Sequence, residues 1–252
     1  TGNENTAIGH EALTSNTSGA ANTALGRSGL AANTTGSYNS AVGFNSLGAN
    51  TTGASNSALS SEVLQANTTG SNNTGVGRQA LSSNTTAGNN TAVGYYSLKA
   101  NTTGGENVAF GESALSSNTT ASNNTAVGKS SLAANTTGAD NVAIGRDALL
   151  LNTTASNNSA IGRHSLGSNT TGTFNVAVGN YTLDANTTAN NNTAVGYAAL
   201  GANTTGASNT AVGKDVLDAN TTGHSNAGMS FNALGANTTG YYNVAIGTRA
   251  AE

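Results

Sequence analysis

The residues of this chain that could do chemistry are few and scattered. Its 252 residues include three histidines, eight Lys or Arg, eleven Asp or Glu and no cysteine. His10, His164 and His224 lie far apart and follow no metal-ligand spacing. Asp215 and Asp218 form an acidic pair that no neighbouring segment repeats, and no nucleophile elbow, phosphate-binding loop or calcium-binding nonapeptide occurs. The sequence therefore predicts no catalytic residue, no metal and no cofactor, and indicates a protein that is not an enzyme.

One chemical signal does recur: the N-glycosylation acceptor pattern Asn-Thr-Thr or Asn-Thr-Ser. Two interpretations stay open. Glycans would coat one edge of the protein, or the segment is a turn whose stacked asparagines bond to one another as a ladder. We favour the ladder, because it explains the pattern without a modification. The fourteen candidate glycosylation sites are Asn16, Asn33, Asn50, Asn67, Asn84, Asn101, Asn118, Asn135, Asn152, Asn169, Asn186, Asn203, Asn220 and Asn237.

These asparagines belong to a repeat of seventeen residues that runs through the whole chain. Repeats begin at Asn5, Asn22, Asn39 and so on to Asn243, without an insertion or deletion. A fixed period of this length is typical of stacked repeat proteins. The sequence therefore predicts a single repeat array, residues 1–252, of about fifteen coils.

Within one repeat, counted from its first asparagine, apolar residues mark a strand and a core. Position four is apolar in all fifteen repeats, position two is Thr, Ser or Val in all but one, and small Ala or Gly lies between them. Positions two and four should thus share one face of a strand, and we expect the apolar residue at position four to be buried with the leucine at position nine. The predicted core stack includes Val42, Leu47, Val93, Leu98, Val127, Leu132, Val195 and Leu200.

Turn residues divide the repeat into two predicted strands and two corners. Glycine dominates position five, and Asn-Thr-Thr-Gly or its variants fill positions twelve to fifteen. A helix over positions six to eleven is the competing interpretation, but six residues are too few for a helix to hold alone. The sequence favours an all-β fold, a parallel β-solenoid.

Charges and aromatic rings fall at the positions left free. All eight Lys and Arg occupy positions six, seven or ten, and ten of eleven aromatic residues lie at positions six, seven, sixteen or seventeen. One edge is a candidate contact surface, formed by Tyr95, Tyr96, Tyr197, Phe44 and Phe231. A formal net charge of −3 gives no basic patch for nucleic acid, and no apolar run is long enough to insert in a membrane.

Ice binding is a less favoured interpretation. Ice-binding solenoids present Thr-x-Thr on a strand, whereas the paired threonines here are adjacent, at positions thirteen and fourteen, as in Thr34 and Thr35. Adjacent residues of a strand point in opposite directions.

Three segments resemble a known family. Asn-Val-Ala-Ile-Gly, at 141–145 and 243–247, is similar to the head repeat of YadA-like trimeric autotransporter adhesins. The segment 192–206 resembles repeats of bacterial and phage fibre proteins that often end in an endosialidase-type chaperone. The resemblance implies a left-handed parallel β-roll, commonly a homotrimer, on a cell or virion surface.

These observations favour a non-enzymatic extracellular structural protein, a β-solenoid shaft or self-assembling filament used for display or adhesion. The alternatives are an adhesin head or tail-fibre receptor-binding module that recognises surface glycans, and a glycan-coated fibre. The expected partner is the chain itself, as a homotrimer or a head-to-tail filament. Small residues at positions three and five favour such assembly, because they permit close approach of another chain.

Overall fold

The protein is an all-β parallel β-solenoid. The computed structural model describes residues 2–252, which contain fifteen three-residue strands and no helix. They form two compact units, the first ending at Asn124 and the second spanning Thr125–Glu252. The strands of the first unit are β1 (Thr6–Ile8), β2 (Thr23–Leu25), β3 (Ser40–Val42), β4 (Ser57–Leu59), β5 (Thr74–Val76), β6 (Thr91–Val93) and β7 (Val108–Phe110). Those of the second are β8 (Thr125–Val127), β9 (Val142–Ile144), β10 (Ser159–Ile161), β11 (Val176–Val178), β12 (Thr193–Val195), β13 (Thr210–Val212), β14 (Ala227–Met229) and β15 (Val244–Ile246).

Within each unit, consecutive strands pair in parallel with the register that the repeat predicts. Thr6 lies beside Thr23 and Ala7 beside Ala24, so paired residues are seventeen positions apart. The same offset holds in the second unit, where Ser159 lies beside Val176. Each coil carries one strand, at positions two to four, and the prediction of two strands per coil is therefore wrong.

The rest of each coil is a turn whose backbone changes handedness from residue to residue. Positions seven, nine and seventeen are left-handed in every repeat, as in Ser130 (φ 56°), Leu132 (φ 50°) and Asp140 (φ 59°). An α-helix requires right-handed angles throughout, so the competing helix cannot form here. The turn bonds to the next coil instead: Leu132 N–H donates to Ala148 O at 3.0 Å, and Ala134 N–H donates to Leu150 O at 3.2 Å.

The core contains the position-nine leucines from Leu30 onward but not the residues at position four; Leu13, in the first coil, is half-buried. The leucine half of the predicted stack is fully buried: Leu47, Leu98, Leu132 and Leu200. The valine half of the prediction is wrong, because these side chains lie on the outer side of their strands: Val42, Val93, Val127 and Val195. Positions two and four do share a face, but it is the outer one. The narrow coil encloses alanine beside each leucine, and the position-three residues Ala41, Ala92, Ala126 and Ala194 are fully buried.

Packing between coils is tight enough that the residue at position eight limits the size of the residue at position three of the following coil. Position eight is valine only at Val63 and Val216, and position three of the following coil is glycine only at Gly75 and Gly228. A methyl group on Gly228 would lie 2.6 Å from Val216 Cγ1, and one on Gly75 would overlap Val63 Cγ1. The larger residue in one coil is therefore matched by the absence of a side chain in the next.

Position five sets a second steric limit. Gly26 has φ +130°, and a methyl group added there would lie 2.6 Å from Gly43 O in the next coil. Both the backbone angle and the contact therefore favour glycine, and the two serines found at this position, Ser60 (φ 122°) and Ser230 (φ 91°), also have positive φ angles. Position fifteen is also crowded, since a methyl group on Gly36 would overlap Gly53 O, but Gly36 has an ordinary φ and equivalent positions hold alanine at Ala87, Ala121, Ala155 and Ala189.

We expect Gly26→Ala to destabilise the protein by about 2 kcal/mol or more, since it adds backbone strain to a steric overlap. The matched control is Gly36→Ala in the same coil, which should cost less, because it adds a steric overlap without backbone-angle strain and four other coils hold alanine at this position. Urea unfolding followed by circular dichroism measures both. Equal losses of stability would contradict the special role of position five.

We expect Gly228→Ala to cost about 1–3 kcal/mol by overpacking against Val216. Adding Val216→Ala should recover most of this loss, because the double variant has the Ala–Ala arrangement found at other coils. A double-mutant cycle from thermal melts gives the coupling, expected at about 1–2 kcal/mol. Additive effects of the two substitutions would show that the positions do not interact.

Candidate interaction surfaces

The outer side of the strands is a regular, uncharged surface, which we call the strand face. It consists of positions two and four of each strand. In the first unit, position two is a column of hydroxyls followed by one valine: Thr6, Thr23, Ser40, Ser57, Thr74, Thr91 and Val108. Position four is apolar throughout and largely exposed, with Leu59 at 50% and Phe110 at 56%.

The strand face of the second unit is more apolar. Valine or alanine replaces the hydroxyl in half of its strands: Val142, Val176, Ala227 and Val244. Ile161 at position four is 41% exposed and Val195 is 36% exposed. Near β14 this face has a shallow apolar notch, because Ala227 and Gly228 are small; its lining residues are Thr210, Ala227, Gly228, Met229, Val244 and Ile246.

The sequence held a signal for this surface that the prediction missed. Position four varies in size from valine to phenylalanine, whereas position three is only alanine or glycine and position nine of full repeats only leucine. A closely packed interior accepts side chains of one size at each position, so position four, whose side chains vary in size, is the exposed one.

The asparagines at positions one and twelve form two buried networks. In the coil that begins at Asn39, the amides of Asn39 and Asn50 both donate to Gly53 O, each at 2.9 Å. Asn50 Nδ2 also donates to Asn33 Oδ1 of the preceding coil at 2.8 Å. Asn39 Oδ1 accepts the backbone N–H of Asn56 at 3.0 Å. Each asparagine pair thus closes its own coil and bonds it to its neighbours.

This burial is incompatible with the glycosylation prediction. A glycan is attached through the amide nitrogen, and in twelve of the fourteen candidate asparagines the side chain is fully buried; only Asn16 and Asn237 are partly exposed. At Asn50, for example, the amide nitrogen donates to one acceptor in its own coil, Gly53 O, and to one in the preceding coil, Asn33 Oδ1. The fold therefore has no room for glycans at these twelve positions: Asn33, Asn50, Asn67, Asn84, Asn101, Asn118, Asn135, Asn152, Asn169, Asn186, Asn203 and Asn220.

The predicted aromatic contact surface lies on what we call the position-six edge, positions six and seven of the coils. The structure divides its members between the two units. In the first, Tyr95 and Tyr96 stack with ring centroids 3.8 Å apart, and Arg27 Cζ lies 5.7 Å from the ring centroid of Phe44. The other two members, Tyr197 and Phe231, lie in the second unit.

In the second unit, Lys214 lies between two exposed rings. Its Nζ is 5.9 Å from the ring centroid of Tyr197 and 5.4 Å from that of Phe231. The same ammonium contacts Asp215 Oδ2 at 3.2 Å. Such cation–π contacts contribute roughly 0.5–1 kcal/mol at exposed sites, so this part of the edge is a preformed array of rings and charges.

The three histidines are not brought together. His164 lies between two carboxylates: its Nε2 is 3.4 Å from Asp147 Oδ2 and its Nδ1 is 3.9 Å from Asp184 Oδ1. The two carboxylates contact different nitrogens of the ring, so they do not converge on one point with a single nitrogen as metal ligands would. Among residues 2–252 no group of three His, Asp or Glu side chains is arranged to hold a metal ion.

Two acidic side chains at position ten have raised pKa values. Burial raises the pKa of the Asp184 carboxyl, and the nearby His164 partly opposes this. Burial also raises the pKa of Asp218 above its ordinary value of 3.8, and the negative charge of Asp215 raises it further. Both effects disfavour the ionised carboxylate.

Within residues 2–252 we find no helix that is long and apolar enough to cross a bilayer. No protein-family model, curated protein or solved structure matches the chain.

We expect Asp218→Asn to stabilise the protein at pH 7, because it removes a carboxylate whose ionised form is disfavoured in the fold. The raised pKa means that protonation stabilises the fold; this gain is complete below pH 3.8 and is lost as pH rises through the folded pKa. The difference in melting temperature between the variant and the native chain should therefore shrink as pH falls towards 4. A difference that is constant across pH 4–7 would contradict this.

Proposed function

We propose that the chain is a non-enzymatic extracellular structural protein: a β-solenoid shaft or self-assembling filament used for surface display or adhesion. The observation that carries the proposal is the uniform bonding of the coils. Within each unit, the strand, the turn and both asparagine networks connect each coil to its neighbours with the same donors and acceptors. Such a structure extends by the same amount with each repeat, which suits a spacer or shaft.

The extracellular location in this proposal is supported by the resemblance of the segment 192–206 to fibre repeats and of 141–145 to adhesin heads. The partner is the chain itself, as a homotrimer or a head-to-tail filament. A solenoid gains its stability from stacking, so a chain of this kind can lengthen without a large globular core.

A second candidate, a receptor-binding module, is favoured by the position-six edge. Exposed rings flanked by cations, as at Tyr197, Lys214 and Phe231, can stack on the apolar faces of sugars and contact their hydroxyls. In this candidate the array binds surface glycans and the coils serve as its support.

Immunogold electron microscopy of intact producing cells or particles tests the proposal. We expect label on the outside, along thin projections. Label confined to the interior would refute the extracellular role.

Adhesion of the purified chain to glycan-coated beads separates the two candidates. Tyr197→Ala combined with Phe231→Ala should abolish binding to the beads if the position-six edge is a receptor site. The matched control is Phe174→Ala, at position seventeen of the same unit.

A further inference from the structure

We propose that the strand face is a docking surface for a second copy of this chain, which covers it face to face. This inference rests on the proposed self-assembly and names the surface that carries it. Monomeric soluble proteins rarely expose a large contiguous apolar patch, and such patches mark interaction sites.

The first argument is the charge and composition of the face. No charged residue occurs at positions two, three or four of any of the fifteen strands, although the chain has nineteen Lys, Arg, Asp and Glu residues. All of these lie at positions six, seven, ten or seventeen. The surfaces of soluble proteins normally mix charged residues of both signs and avoid contiguous apolar patches. Their absence from this face and their presence elsewhere favour a surface that is covered.

The second argument is area. Strands lie ~4.8 Å apart and three residues span ~10 Å, so the eight strands of the second unit present roughly 400 Å² and the seven of the first roughly 350 Å². The second units of two copies would bury about 800 Å² between them and the first units about 700 Å², so an association that uses both units reaches the size of a specific, stable interface.

The third argument identifies the occupant as another copy. Side chains at position four form rows with the spacing of parallel strands, ~4.8 Å. A partner can interlock with every row only if its own rows have the same spacing, and a second copy meets this condition within each unit. The side chains of this face do not all project equally far from the strands. Met229 is 48% exposed, and it lies beside the notch that is also lined by Ala227 and Gly228. A second copy supplies projecting side chains as well as the hollow that receives one.

Sedimentation velocity over a range of protein concentrations tests the proposal. We expect the native chain to associate, and Ile161→Lys combined with Val195→Lys to weaken association by about a hundredfold or more, because each lysine would bury an unpaired charge. The side chains at both positions point outward, so the variants should keep the native circular dichroism and a cooperative melt. The matched control Thr173→Lys combined with Ala207→Lys adds the same two charges at position sixteen of the Ile161 and Val195 coils and should associate like the native chain.

Cysteine labelling gives a second measurement that does not depend on a disruptive variant. The chain has no cysteine, so Ile161→Cys and Ala207→Cys each introduce a single thiol. The rate of maleimide labelling should fall severalfold with rising protein concentration for Ile161→Cys and stay constant for Ala207→Cys. Equal behaviour of the two thiols would overturn the proposal.

Two other results would also overturn it: a native chain that is monomeric at every concentration, or lysine variants that associate as the native chain does. A monomer that shows thermal hysteresis in freezing water would assign the face to ice instead. None of these results changes where immunogold label is found, so failure of this inference is distinguishable from failure of the proposed function.

Discussion

Every coil depends on one junction, where two asparagine amides donate to a single backbone carbonyl. Asn39 and Asn50 meet on Gly53 O in this way, and the two ends of the coil are thereby held together without a large apolar core. No buried side-chain nitrogen or oxygen within residues 2–252 lacks a hydrogen-bond partner. Since an unpaired buried amide costs about 1–3 kcal/mol, satisfied networks of this kind specify one arrangement of each coil and penalise others.

Contacts between coils explain how the chain tolerates an unfavourable backbone. Left-handed angles at non-glycine residues cost roughly 1–2 kcal/mol each, and every coil has three such positions, among them the core leucine. These angles persist because the inter-coil hydrogen bonds and the buried leucine fix the turn from both sides. A single coil would not offset this cost, whereas a stack shares its contacts between neighbours. Strain of this kind favours long arrays over isolated repeats.

The period, the strand position and the asparagine ladders could be predicted from sequence, because each is a pattern that repeats without exception. Leu132 could also be placed, since an invariant large apolar residue has one suitable location. Val127 could not be placed by the same reasoning: alternation shows that positions two and four share a face, but not whether that face is inner or outer. The deciding quantity is coil width, which depends on the turn angles at Ser130 and Leu132, and left-handed serine and leucine have no sequence signature.

The matched pair Val216 and Gly228 has a consequence for how such a gene can change. Tandem repeats expand and contract by replication slippage, and loss of one whole repeat would usually leave the stacking pattern intact. Loss of residues 226–242, however, would bring Val216 against Ala245 in place of Gly228. The two valine–glycine junctions thus give some coils a fixed order in the array. Loss of a repeat at one of those junctions would destabilise the fold, whereas loss of a repeat elsewhere would not. Selection against losing a repeat therefore differs from one part of the chain to another.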